Sequence, residues 1–123
     1  MIRILAVDDE INVLSSLRRL FFELDYDFVD AGSAAEGLET IQNGSGYDVV
    51  ISDYQMPGMN GIRFLSAVRE QQPKALRILL SGQVPSLEIA AAIAFGAVNI
   101  HLSKPWDNDE LLAVIGRWCS LNR

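Results

Sequence analysis

The chain has 123 residues, half of them hydrophobic, and a formal net charge of −6. That length supports one domain with a real core, residues 1–123, and is too short for two ordinary ones, while the acidic balance and the lack of any Lys/Arg cluster argue against direct binding to nucleic-acid phosphates. Cys119 is the only cysteine and can make no internal disulfide, MIRILAVDDE has an apolar run too short for a signal peptide, and nothing approaches the roughly 18 apolar residues of a membrane span, so the expected setting is cytoplasmic with no membrane partner.

Short apolar segments alternate with helical patterns along the chain. IRILAV (Ile2 to Val7) reads as a first strand and ends in Asp8, Asp9 and Glu10, after which Leu14, Leu17, Phe21 and Leu24 follow helical spacing. YDFVDA (Tyr26 to Ala31) is a second strand; Ser33 with Glu36 three residues later looks like a capping box, and Leu38 and Ile41 continue that helix. YDVVIS (Tyr47 to Ser52) runs straight into Asp53 and the loop YQMPGMNG, followed by a helix marked by Phe64, Leu65 and Val68. LRILLS (Leu76 to Ser81) is a fourth strand with Ile89 and Ile93 in the helix after it. AVNIHL (Ala97 to Leu102) is a fifth, leading to Ser103, Lys104 and Pro105, a second capping box at Asp107 and Glu110, and a last helix with Leu111, Ile115 and Trp118. Several strands are nearly continuous apolar runs, as expected where both faces of a parallel sheet are buried. Five strand–helix units in this order predict an α/β doubly wound three-layer sandwich with right-handed crossovers.

In such sheets ligands bind beyond the carboxyl ends of the strands, so the polar residues there carry the chemistry. Asp8, Asp9, Asp53, Ser81 and Lys104 all fall on that rim. Carboxylates a few ångströms apart repel by up to roughly 4 kcal/mol per pair at an effective dielectric of about 20. One lysine cannot balance three acids, whereas Mg²⁺, which prefers all-oxygen ligation, can. Such a rim would also accept a phosphoryl group, with Lys104 and the Ser81 hydroxyl on its oxygens and Asp53 as the attacking carboxylate. Each feature has a plainer reading: the double acid taken alone is as much a helix N-cap as a metal site, Pro57, Gly58 and Gly61 mark an ordinary turn, Met56 packs, and a lone Ser81, Lys104 or His101 is more often structural than functional.

VDDE after strand one, DYQMPGMNG after strand three, SG after strand four and SKP after strand five together resemble the receiver domains of two-component response regulators over the whole chain. The resemblance implies a flavodoxin-like (βα)5 fold with strand order 2-1-3-4-5. It implies Asp53 as phosphoacceptor, Asp9 as direct Mg²⁺ ligand supported by Asp8, the Gln55 backbone carbonyl as a further ligand, and Ser81 and Lys104 as phosphoryl contacts. Pro57, Gly58, Gly61 and Pro105 would shape the loops, the Lys104–Pro105 bond often being cis in the family. Gln55 and Gln83 stand where family members tune the lifetime of the acyl phosphate, and two neutral amides offer no general base. Where receivers commonly carry Tyr or Phe as the switch ring, this chain has His101.

The implied partners are a sensor histidine kinase or phosphotransfer protein, and an effector domain or second copy docking on the fourth helix, fifth strand and fifth helix. The nearly uncharged stretch from Val84 to Ile100, with Trp106 and Trp118, is either an apolar patch on that face or tight packing on the sheet. The segment SKPWDNDEL is similar to receivers attached to HD-GYP cyclic-di-GMP phosphodiesterases, and a chain ending soon after its fifth helix is either a single-domain regulator or the first part of a longer protein. Two other classes share parts of the pattern: a flavodoxin-like electron carrier, whose FMN phosphate DDEIN would repel, and an Asp-nucleophile Mg²⁺ phosphohydrolase, whose usual second acid is here Gln55. Both are less expected than the receiver reading, which implies a non-enzymatic phosphoacceptor.

Overall fold

The computed structural model describes residues 1–44, 46–82 and 86–122. In chain order the elements are β1 (Ile2–Val7), α1 (Ile11–Phe22), β2 (Tyr26–Ala31), α2 (Ala34–Asn43), β3 (Val49–Asp53), α3 (Gly61–Gln71), β4 (Leu76–Ser81), α4 (Ser86–Phe95), β5 (Ile100–Ser103) and α5 (Asn108–Leu121). The strands pair in parallel as one sheet of order β2-β1-β3-β4-β5.

Strand side chains alternate between the two sheet faces, and both faces are covered. Leu5, Val7, Val50 and Leu79 pack with Ala34 and Ile41 of α2, Phe64, Leu65 and Val68 of α3 and Ala92 of α4. Ile4, Ala6, Val49, Ile51, Ile78 and Leu80 pack with Leu14, Leu17 and Phe21 of α1 and Leu111 and Ile115 of α5. The expected three-layer sandwich is therefore present, with α1 and α5 on one side and α2, α3 and α4 on the other.

The caps follow the expected chemistry with one displacement. Ser33 Oγ accepts from Glu36 N–H, but the Glu36 carboxylate accepts from Gly32 N–H, one residue before the usual partner. Asp107 caps α5 by accepting from Glu110 N–H, and Asn60, unremarked in the sequence, caps α3 by accepting from Arg63 N–H.

Three elements have boundaries that differ from the sequence expectation. Leu24 is not part of α1: the helix stops at Phe22, and Leu24 is 39% exposed. β3 begins at Val49 rather than Tyr47, because Tyr47 N–H donates to the Gln72 side chain, and it extends one residue further to include Asp53, paired with Leu80. β5 begins at Ile100 rather than Ala97. The N–H groups of Ala97 and Val98 both donate to Ala92 O, so these residues still wrap the end of α4. There the buried Arg77 guanidinium, 4% exposed, donates to the carbonyls of Pro73, Ala75, Gly96 and Ala97. Burial, and to a lesser extent the charge of Arg69, lowers its pKa, and the four carbonyl acceptors satisfy its donors.

Candidate functional site

The carboxyl ends of β1, β3, β4 and β5 bring the predicted residues together. A cleft of about 520 Å³ is lined by Asp9, Glu10, Asp53, Gln55, Ser81, Gly82 and Lys104. Asp8 sits beneath it, 2% exposed, and Asp53 is 6% exposed. Lys104 Nζ lies 2.9 Å from Asp53 Oδ1, 3.0 Å from Asp8 Oδ2 and 3.6 Å from Glu10 Oε1.

One ammonium thus serves several carboxylates, and the pKa shifts bear this out. Burial raises Asp53 above the usual carboxylate range; the hydrogen bond and charge of Lys104 offset this in part, and the charge of Asp9 adds to it. Burial also raises Asp8, against hydrogen bonds from Glu10 N–H and Lys104, with the Asp53 charge pushing the same way as burial. Burial works against the Lys104 ammonium too, but its bonds to Asp53 and Asp8 outweigh it and raise its pKa. All three shifts fit a site one positive charge short: the cation is over-compensated and the anions under-compensated.

The donor set fits a hard cation. Among the described residues, Asp8, Glu10 and Asp53 each offer a carboxylate oxygen within 4.8 Å of the others, and Asp9 and Gln55 face the same cleft. Oxygen-only donors of high negative charge suit Mg²⁺. The helix-cap reading of the acids does not hold, since Glu10 occupies the N-cap of α1 without a side-chain cap bond and Asp8 Oδ1 accepts only the N–H of Glu10 itself. Glu10 is the site residue that the sequence reading left without a role. Its place in VDDE was the available signal, but only the turn into α1 aims its carboxylate back over the cleft.

If a cation binds there, it binds the folded protein and stabilises it by mass action. At a hundredfold excess over the dissociation constant the gain is about 2.7 kcal/mol, which raises Tm by roughly 10 °C for a domain of this size. Thermal melts with and without millimolar Mg²⁺, against a monovalent salt control of equal ionic strength, measure it; an unchanged Tm removes the site.

The loops are held as tightly as the acids. Tyr54 N–H donates to Leu80 O, and Gly61 N–H donates to Tyr54 O, so the loop after β3 is tied to β4 at one end and closes on itself at the other. Gly58 adopts φ 86°, a conformation that costs a side-chain-bearing residue about 1 kcal/mol or more. Met56 is buried, and Pro57 is exposed beside Gly58. Lys104 N–H donates to Ser81 O, and the Lys104–Pro105 peptide is cis. Ser81 Oγ lies 2.6 Å from His101 Nε2. Gln83 lies outside the described residues.

A contact that the sequence did not suggest joins the rim to α4: Tyr54 O–H donates to the Glu88 carboxylate at 2.8 and 2.9 Å to its two oxygens. That hydrogen bond, with burial, raises the pKa of the phenol. Trp106 and Trp118 are half-buried against the α1–α5 core rather than gathered on α4.

A doubly wound parallel sheet carrying an acidic cleft, a lysine and a hydroxyl at its strand ends defines a phosphoryl- and cation-handling class of α/β domain. Comparison with known proteins gives the family: the response regulator receiver domain model matches residues 4–116, and the chain belongs to that family. It is 33% identical to the probable chemotaxis protein CheY of Rhizobium etli, over 93% of this chain and 89% of that protein. It is 32% identical to the hydrogenase transcriptional regulatory protein HoxA of Bradyrhizobium diazoefficiens, over 98% of this chain but 24% of the relative. The chain thus spans about a quarter of the length of the two hydrogenase regulators it matches. The crystal structure of the signal receiver domain of an HD domain-containing protein from Pseudomonas fluorescens superposes with a TM-score of 0.91 at 34% identity, covering 98% of this chain and 96% of that one. Membership places the chain in phosphorelay signalling, in a family that binds Mg²⁺ at an acidic pocket and works with histidine kinases and effector domains. The electron-carrier and phosphohydrolase readings find no support. No helix of the described residues is long and apolar enough to cross a membrane.

Proposed function

We propose that this chain takes a phosphoryl group onto Asp53 and relays its presence to an output surface, as one transfer per chain rather than repeated turnover. The observation that carries this reading is the Lys104 ammonium held between Asp53 and Asp8 in a cleft that Ser81 also lines. Asp8, Asp9, Glu10, Asp53 and the Gln55 carbonyl would hold Mg²⁺, which when bound supplies the charge that offsets the acids and the entering phosphoryl oxygens. The chain's own residues do the rest. An Asp53 carboxylate oxygen attacks phosphorus; the bond from phosphorus to the donor's imidazole nitrogen or acyl oxygen breaks, and the leaving group keeps the electron pair. Lys104 then turns from the carboxylates to the phosphoryl oxygens, and Ser81 O–H donates to another. Gln55 at the cleft is a neutral amide and offers no general base for water, so rapid self-hydrolysis is not implied.

The donor would be a sensor histidine kinase or phosphotransfer protein. For the output we assign the α4–β5–α5 face, to be covered by an effector domain or a second copy, because Leu87 (86% exposed), Phe95 (77%) and Ile93 (44%) stand out from α4 with only Glu88 as a formal charge. The similar receiver from Pseudomonas fluorescens belongs to an HD domain-containing protein, in keeping with the SKPWDNDEL segment.

Intact-mass analysis after incubation with acetyl phosphate and Mg²⁺ tests the reading. One hydrolysable phosphoryl group per chain, with no steady release of phosphate from ordinary phosphate esters, is expected; multiple turnover on esters overturns it. The division of labour is tested at the lysine. Lys104→Ala should keep or gain Mg²⁺ affinity, because the acids lose their internal counter-charge, while the amide-spectrum response to beryllofluoride shrinks. Loss of Mg²⁺ binding with a normal response would reverse the assigned roles.

A further inference from the structure

Ser81 closes β4 and is 3% exposed, and His101 lies on the neighbouring edge strand β5. Leu79 is the register partner of His101 and Ser103 that of Ser81. The two-residue period of a strand therefore puts the side chains of 81 and 101 on the same face of the sheet, one diagonal step apart. They meet through a single short contact, Ser81 Oγ to His101 Nε2 at 2.6 Å.

A serine hydroxyl has one proton to give and lone pairs to receive, and a neutral imidazole has one donor and one acceptor nitrogen. Two arrangements satisfy the contact. In the first, Nε2 is bare and Ser81 O–H donates to it, so the hydroxyl proton points away from the cleft. In the second, Nε2 carries the proton and donates to Oγ, which frees the hydroxyl proton to point into the cleft that holds Asp53 and Lys104. A phosphoryl oxygen is an acceptor only, so it can use Ser81 only in the second.

We propose that His101 is a positioning residue for phosphoryl transfer: it sets the direction of the Ser81 hydroxyl proton, and a phosphoryl group on Asp53 selects the arrangement in which Nε2–H donates to Ser81 Oγ. The inference rests on Asp53 as the acceptor. The ring proton moves from Nδ1 to Nε2 by exchange with solvent, to which His101 is partly exposed, with no net proton uptake. Donation into Oγ polarises the hydroxyl and strengthens its bond to the phosphoryl oxygen, so the chain of donors cooperates. This ring acts through one nitrogen, where a ring that only filled space would have no use for it. The same bond reports the occupancy of Asp53 to β5, at the edge of the sheet.

His101 is the only histidine in the chain, so ¹⁵N spectra of the imidazole report this ring alone. Wild type is observed with Mg²⁺, with and without beryllofluoride, while ¹⁹F signals of bound fluoroberyllate report occupancy of the acceptor. On occupancy the Nε2 resonance should move to the protonated position; in Ser81→Ala, which binds the mimic more weakly and is read at a beryllofluoride concentration where the ¹⁹F signals show the site filled, the ring resonance should stay still. His101→Phe should slow labelling by acetyl phosphate several-fold, because Ser81 then donates without the polarising bond from the ring, and His101→Gln, whose amide can donate, should recover part of it. An imidazole that does not respond while fluoride is bound, or one that responds equally in Ser81→Ala, overturns the proposal and leaves the acceptor assignment standing. No bound fluoride in wild type overturns the acceptor assignment, and the proposal falls with it.

Discussion

Asp53→Asn should abolish phosphoryl uptake altogether. The carboxylate oxygen is the nucleophile, and an amide of the same size offers neither its charge nor its basicity, so intact mass should find a phosphoryl group on wild type and none on the variant. Equal labelling of both would move the acceptor elsewhere. The same substitution has a second, opposite consequence for stability. Burial raises the Asp53 pKa in the folded protein above its ordinary value of 3.8, more than Lys104 lowers it. A raised folded pKa means stability that is full below the unfolded value and is lost as pH rises through the folded one. At neutral pH without a divalent cation the ionised Asp53 therefore costs stability, and Asp53→Asn should melt higher than wild type. That advantage should grow from near pH 3.8 upward through the raised folded value and level off above it. Melts across this range at constant ionic strength measure it, and equal Tm values throughout would remove the argument from burial.

Gly61→Ala should disrupt fold and site together. A Cβ at Gly61 would stand 2.1 Å from the Asp53 carbonyl oxygen and 2.9 Å from both the Asp53 carbonyl carbon and Leu79 Cδ1. The first two are backbone atoms of a strand, which cannot turn aside as a side-chain tip can. The start of α3 must back away from the end of β3, stretching the Gly61 N–H to Tyr54 O bond that closes the loop. Overpacking of this kind costs about 1–3 kcal/mol and sometimes more, and contact with backbone puts this case at the upper end. Because the displaced atoms belong to Asp53, labelling by acetyl phosphate should slow as well. Gly58→Ala is the control: its added Cβ would have nothing within 4 Å, so only the cost of φ 86° remains. Chemical denaturation of the two variants compares them, and a Gly61→Ala midpoint within error of wild type would show that the loop yields freely.

What was legible in the sequence is what depends on local pattern. β1, β2 and β4 begin and end where the sequence reading placed them, and in β1 and β4 the run is largely apolar because these strands are buried. Ser33 and Asp107 cap helices as read, since a cap is set within a few residues. The gathering of Asp8, Asp9, Asp53, Ser81 and Lys104 at one rim followed from five strand–helix units, because a parallel sheet puts all its strand ends on the same side. The strand order itself came from resemblance to a family, as local periodicity carries no information about which strands pair.

Tertiary structure decided the rest, and in each case the reason is a partner distant in the chain. β3 gains Asp53 because Leu80 pairs with it, and β5 starts late because Ala97 and Val98 satisfy their N–H groups on Ala92. Arg77 looked like one residue of an apolar strand, yet its guanidinium holds carbonyls of both the α3–β4 connection and the α4–β5 turn. Glu10 joins the acids only because the turn into α1 brings it within 3.6 Å of Lys104. Tyr54 finds Glu88 across 34 residues, and Ser81 finds His101 across 20. The residue types that carry the chemistry were determined by the sequence; which of them share a proton or a charge was settled when hydrophobic burial of both sheet faces fixed the register of neighbouring strands to within one residue.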